Sequence, residues 1–219
     1  MKDEVELIFD YPAKVAAMLL NDEIDVGLIP VAVLPKLKEH YIISDYCIGA
    51  SQPVASVCLF SEVPLDQITE ILVDYQSRTS AALLKVLLKH YWKTDPVLID
   101  THNGYQQNIK GTTAGLVIGD RALQQRKNSA WIYDLAEAWQ NMTGLPFVFA
   151  AWVANKKLPD SFKNAFNSAT GSGLEHLDEI VDAVNFEAYD MHTYYTKNID
   201  YRIDNKKIEA VRLFLSYLA

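Results

Sequence analysis

The stretch Thr143-Gly-Leu-Pro-Phe-Val-Phe-Ala-Ala-Trp152 decides how the chain is organised. Gly144 stands where a helix over Tyr133–Met142 needs a left-handed cap, and Pro146 bars that helix from continuing. The apolar run Phe147–Val153 that follows predicts a buried strand. A second run, within Pro53-Val-Ala-Ser-Val-Cys-Leu-Phe-Ser61, predicts a strand over Val54–Phe60. Around these two, short apolar runs alternate with helical patterns, which is the signature of an α/β chain.

Working outward, Val5–Phe9, Asp25–Pro30, Tyr46–Ala50, Glu70–Asp74, Val97–Ile99 and Leu116–Ile118 predict further strands. Pro12 opens a helix, with Asp10 upstream as a cap, and Asn21-Asp-Glu23 ends it. Ser77-Arg-Thr-Ser80 precedes a helix that carries Leu83, Leu84, Leu87 and Leu88 on one face. From Pro159 the text is mainly helical, and Asp204 caps the last helix. There is no repeat, low-complexity tract or flexible linker, so domain boundaries must fall in the strands. Two α/β lobes follow: residues 1–60 with 147–219, and residues 61–146. The chain crosses at Ser56–Ser61 and returns at Phe147–Val153.

Composition narrows the function. With 219 residues, 50% hydrophobic and 22% charged, the chain is neither disordered nor a coiled coil. Twenty Lys and Arg against 28 Asp and Glu give a net charge of −8, which argues against nucleic-acid partners. Any anionic ligand must be met by local donors against an unfavourable field. Cys47 and Cys58 sit in apolar, strand-like text and read as buried thiols. No Cys/His spacing suits a metal, the five histidines are unpaired, and there is no phosphate loop. No apolar run is long enough to cross a membrane, and Met1-Lys-Asp-Glu4 has no signal-peptide character, so a cytoplasmic protein is expected.

Five stretches in this order, Asp25-Val-Gly-Leu-Ile-Pro30, Pro53–Ser61, Ser77-x-Thr-Ser80, Ile118-Gly-Asp120 and Thr143–Trp152, resemble the chorismate dehydratases of the futalosine route to menaquinone. The resemblance covers nearly the whole chain, and Thr143–Trp152 is its most specific part. It implies a two-lobed, type II periplasmic-binding-protein-like fold with a ligand cleft between the lobes. It also implies a hydro-lyase that removes water from chorismate to give 3-[(1-carboxyvinyl)oxy]benzoate. Aromatisation supplies much of the driving force, so positioning and preorganised donors suffice, without a metal or redox cofactor. Members of the family usually carry an additional N-terminal strand and a Ser-Tyr-Leu-Asn-like turn upstream of the text matching Pro12. On that resemblance the sequence as given lacks a donor and a central strand. Val5–Phe9 and Asp25–Ile29 are then left with unpaired edges, and turnover is expected to be weak or absent.

The resemblance makes Ser56 the active-site residue, able to donate to, or accept from, the leaving oxygen or a substrate carboxylate. Ser77, Thr79 and Ser80, with the free amides of a helix start, suit a substrate carboxylate, although the same residues serve ordinary N-capping. Ser51 and Gln52 lie in a loop that can face the cleft. Gly119 and Asp120 end a strand where parallel sheets hold ligands, although Asp120 repels a dianion and is expected instead to cap the following helix. Arg78 reads as a surface residue, Thr143 and Gly144 as turn-formers, and Phe147, Phe149 and Trp152 as core. If a base is needed, the substrate's own enolpyruvyl carboxylate is a candidate. Two other functions remain open: a non-catalytic small-anion binder or sensor on the same scaffold, and the sibling 1,4-dihydroxy-6-naphthoate synthase.

Overall fold

The computed structural model describes residues 5–184 and 186–219; the charged start Met1–Glu4 lies outside them. The first helix, α1 (Pro12–Leu20), begins with proline at its first turn, as the sequence predicts. Its cap differs from expectation. Tyr11 holds the cap position, while the Asp10 carboxylate accepts from the Tyr11 amide at 2.8 Å and pairs with Lys14. Strand β1 (Val26–Pro30) and a 3-10 turn over Val31–Lys36 lead to the long strand β2 (Tyr41–Ala50). Then come β3 (Val57–Ser61), β4 (Glu70–Val73), α2 (Arg78–Leu87), β5 (Val97–Asp100), β6 (Thr113–Ile118) and α3 (Asp120–Gln125). Strand β7 (Trp131–Asp134), helix α4 (Leu135–Thr143) and strand β8 (Phe147–Ala154) follow. The chain ends with α5 (Asp160–Glu175), α6 (Leu177–Asp182), α7 (Met191–Thr193), β9 (Asp200–Arg202) and α8 (Asn205–Ser216).

The strands form two sheets: a four-stranded one in the order β1-β8-β2-β9 and a five-stranded one in the order β5-β4-β6-β3-β7. The decisive stretch folds as read. Gly144 adopts φ +74°, its amide reaches the Gln140 carbonyl at 2.7 Å, and β8 runs antiparallel to both β1 and β2 in the middle of its sheet. Strand β3 belongs wholly to the five-stranded sheet, beside β6 and β7. The chain therefore leaves the first sheet between Ala50 and Val57 and returns between Asp134 and Phe147.

Two expected elements are corrected. Val5–Phe9 forms no strand; it is irregular and exposed, Phe9 to 86%. Its apolar text has no partner, because β1 pairs only with β8 among the described residues. The helix expected from Tyr133 starts two residues later. Tyr133 and Asp134 finish β7, and the Asp134 carboxylate caps α4 by accepting the amides of Ala136 and Glu137 at 3.0 and 3.2 Å.

One contiguous core runs under both sheets. Trp139 on α4 meets Phe147 on β8 and Phe214 on α8 edge-on, at 5.3 and 6.0 Å between ring centres. Phe147 and Phe149 are core, and Trp152 packs against Phe166. Both cysteines are buried and free, and burial pushes the Cys47 thiol up to about 12.

Candidate active site

Pairing in the five-stranded sheet fixes where its ends lie. Strand β4 is parallel to β6, whereas β3 is antiparallel to it, with Val57 opposite Ile118. The carboxyl ends of β4 and β6 and the start of β3 therefore share one edge. That edge collects Ser56, just before β3; Gly119 and Asp120, just after β6; and the turn from Asp74 to Ser80, just after β4. This is where open α/β sheets hold ligands.

Ser56 is 4% exposed. Its carbonyl accepts the Gly119 amide at 2.8 Å, and its own amide donates to the Val54 carbonyl at 2.7 Å. Gly119 has φ +64° and ψ −149°, a conformation essentially reserved for glycine. The Ser56 hydroxyl accepts a hydrogen bond from the Tyr194 hydroxyl at 3.0 Å. Tyr194 belongs to a cluster in which its ring lies 6.4 Å from Tyr189 and 5.0 Å from Tyr195. Burial raises its pKa, outweighing the Ser56 hydrogen bond, so the Tyr194 hydroxyl stays protonated and keeps its donor. Tyr194 was not among the sequence candidates, because it lies 138 residues from its partner in text without a motif.

The Ser77–Ser80 turn shares the edge but is engaged within the protein. The Ser77 side chain accepts the Ser80 amide at 3.1 Å and donates to the Ser80 hydroxyl at 2.7 Å, so capping accounts for it. Thr79 is 1% exposed and accepts the Ala32 amide at 3.3 Å, tying α2 to the turn after β1. No hydrogen bond joins this turn to Ser56 among the described residues. Asp120 does not cap α3 as expected: Gly119 holds the cap position, and Asp120 is the exposed first residue of the helix. Arg78 is exposed as expected.

Arg121 is a further residue the sequence did not single out. Its Nη2 donates to the buried Asp74 carboxylate at 2.9 Å and to Gln76 at 2.8 Å, and the guanidinium lies 5.3 Å from the centre of the Tyr75 ring. Asp74 also accepts from Tyr105 at 2.7 Å. The Nη1 of Arg121 is buried without an acceptor among the described residues, which leaves a cationic donor unspent at the same edge.

Ser51 and Gln52 lie elsewhere. They line an open groove of about 470 Å³ with Tyr46, Lys197, Asp200 and Arg202. Ser51 donates to the Asp200 carboxylate, which also takes the ammonium of Lys207 at 2.6 Å; Lys207 is only 2% exposed. Burial raises the Asp200 pKa, but the bonds from Lys207 and Ser51 outweigh it and hold the carboxyl below its ordinary value. The groove and the Ser56 edge are the two ends of one strip. Residues 51–56 run beside 194–200, joined by Ser51 with Asp200, by Asn198 donating to the Pro53 carbonyl at 2.8 Å, and by Tyr194 with Ser56.

The described residues hold no group of three or more His, Cys, Asp or Glu able to bind a metal, and no helix among them is long and apolar enough to cross a membrane.

Two sheets joined by paired crossings, with a polar edge where they meet, define the periplasmic-binding-protein-like class of two-lobed α/β folds. Solved structures agree. A protein of Archaeoglobus fulgidus is similar over 96% of this chain and 83% of its own, with a TM-score of 0.73 at 14% identity. An ABC transporter protein of Parabacteroides distasonis gives 0.61 at 20% identity, over 96% of this chain and 81% of its own. The alkanesulfonate-binding protein of Xanthomonas axonopodis pv. citri, solved with MOPS bound, gives 0.52 at 9% identity, over 95% and 78%. The chain belongs to the menaquinone biosynthesis family, which matches residues 1–219. A curated relative, the chorismate dehydratase of Thermus thermophilus, is 27% identical over 192 residues, 78% of this chain and 70% of its own.

Proposed function

We propose that the protein is a hydro-lyase that dehydrates chorismate to 3-[(1-carboxyvinyl)oxy]benzoate, in the cytoplasm, with Ser56 as the catalytic residue. The observation that carries this is the buried Ser56 hydroxyl. It is fixed by Tyr194 at a sheet edge that it shares with the Arg121–Asp74 ion pair. The family and the Thermus relative support the substrate.

The reaction removes a ring hydroxyl and a ring proton. Ser56, its acceptor side occupied by Tyr194, is left to donate its own proton in a hydrogen bond to the departing oxygen. Arg121 stands at this edge with its charge paired to Asp74, so the donors left for a substrate carboxylate are the first amides of α2 other than that of Ser80, which Ser77 caps. The proton goes to the substrate's own enolpyruvyl carboxylate. The two sheets are the two lobes, and the substrate lies between them.

Incubating the protein with chorismate at micromolar concentration, and following the ultraviolet absorbance of the aromatic product over hours, tests this. Product supports the lyase. A thermal shift with chorismate but no product would make the protein a binder on the same scaffold. Neither response would turn the search to the substrate of the sibling naphthoate synthase.

A further inference from the structure

The residue before Ser56 is under strain that the rest of the site is built to hold. Ala55 has φ +63°, although it is not a glycine. The bond from the Ser56 amide to the Val54 carbonyl closes a γ-turn about it, of the rarer hand that places the central residue at positive φ. Such a conformation costs on the order of 1–3 kcal/mol and persists only where its surroundings over-determine it.

Here the surroundings are explicit. The Ala55 amide donates to Asp134 Oδ2 at 2.7 Å. The Ala55 carbonyl accepts from Arg126 Nη1 at 3.2 Å and from the Cys58 thiol at 3.3 Å. Its methyl group is buried with Leu123, Val181 and Met191. Asp134 sits opposite Cys58 in the β3–β7 ladder, so its carboxylate is delivered to Ala55 by strand register. The other oxygen, Oδ1, caps α4. One buried carboxylate thus ties the start of a helix to the strained turn.

We propose that Asp134 is a positioning residue. By clamping Ala55 in the left-handed γ-turn, it aims the Ser56 hydroxyl at Tyr194 and the reacting edge. This rests on Ser56 being the catalytic residue. It goes further by assigning a role to a side chain that touches no substrate.

Asp134→Ser separates the two duties of the carboxylate. Serine still caps α4, but is too short to reach the Ala55 amide. Turnover of chorismate by D134S should fall about tenfold to a hundredfold in kcat, as a misplaced catalytic group does, with KM within about twofold. Adding Ala55→Gly should restore most of the loss, because glycine enters positive φ without a clamp. In a Ser56→Ala background D134S should cost nothing further, since the two act through one hydroxyl. Amide exchange at Ala55 and Ser56 should rise about tenfold in D134S, as local opening becomes easier. D134N, which keeps one acceptor oxygen for the helix start, is the second variant if D134S does not fold. Unchanged kcat and exchange, or an equal loss with and without the Ser56 hydroxyl, would overturn the proposal. If the unsubstituted protein makes no product, the lyase reading fails, and the exchange measurement still decides the clamp.

Discussion

The two ends of the loop from Ser51 to Ser56 are built differently. At the Ser51 end the side chains line an open groove and join an ion pair, Asp200 with Lys207, that stays within the first sheet and its last helix. At the Ser56 end the hydroxyl is buried, the backbone is strained, and partners arrive from β7, the turn after α3 and the segment after α7. Both ends are polar and both were candidates from sequence. Under the proposed function, the difference assigns stability to one and chemistry to the other. Strain is tolerated where a donor must be held in place, and ion pairing is used where a strand end must be fastened.

That assignment can be broken in three ways. The largest effect is expected from Asp200→Ala, which leaves the buried Lys207 without its carboxylate. The loss should be about 3 kcal/mol, read by chemical denaturation, with turnover per folded molecule nearly unchanged. A large loss of kcat with no loss of stability would reverse the two roles. The gap should also depend on pH in one direction. The Asp200 pKa is lowered in the folded protein from an ordinary value of 3.8, so its contribution is complete above that value and disappears as pH falls through the folded one. Denaturation of D200A beside the unsubstituted protein should show a constant gap from neutral pH down to the unfolded value, and a closing gap below.

Next comes Tyr194→Phe, which removes the hydroxyl that fixes Ser56 but keeps the ring among Tyr189 and Tyr195. Steady-state kinetics should show kcat lower by about tenfold, the size of one hydrogen-bonded orientation, with little change in KM. The smallest effect belongs to Gln52→Ala, in the open groove. Turnover should move by less than about twofold, as for an exposed surface change, and a larger fall would extend the site to that groove.

How far the sequence reaches follows from the range of each signal. Gly144, Pro146 and the Phe147–Val153 run are local, and β8 forms where they place it. Asp204 caps α8 for the same reason. Val5–Phe9 carries the same apolar text but forms no strand, since a strand needs a neighbour that composition does not supply. Ser56 was singled out by the family resemblance alone. Tyr194 and Arg121 were not legible, because their partners are 138 and 47 residues away in sequence. Ala55 gave no warning of its positive φ, a conformation normally announced by glycine or asparagine. Asp134 was absorbed into a helix because the last residue of a strand and the cap of the next helix are here one residue.

The central claim is that the buried hydroxyl at the start of β3 carries the chemistry. Its direct measurement is aromatic product formed from chorismate by Ser56→Ala beside the unsubstituted protein, at equal folded concentration and followed in the ultraviolet. A loss of about a hundredfold or more, the scale of one preorganised donor, with an unchanged melting temperature, is the predicted result. Product formed by both proteins at the same rate would contradict it.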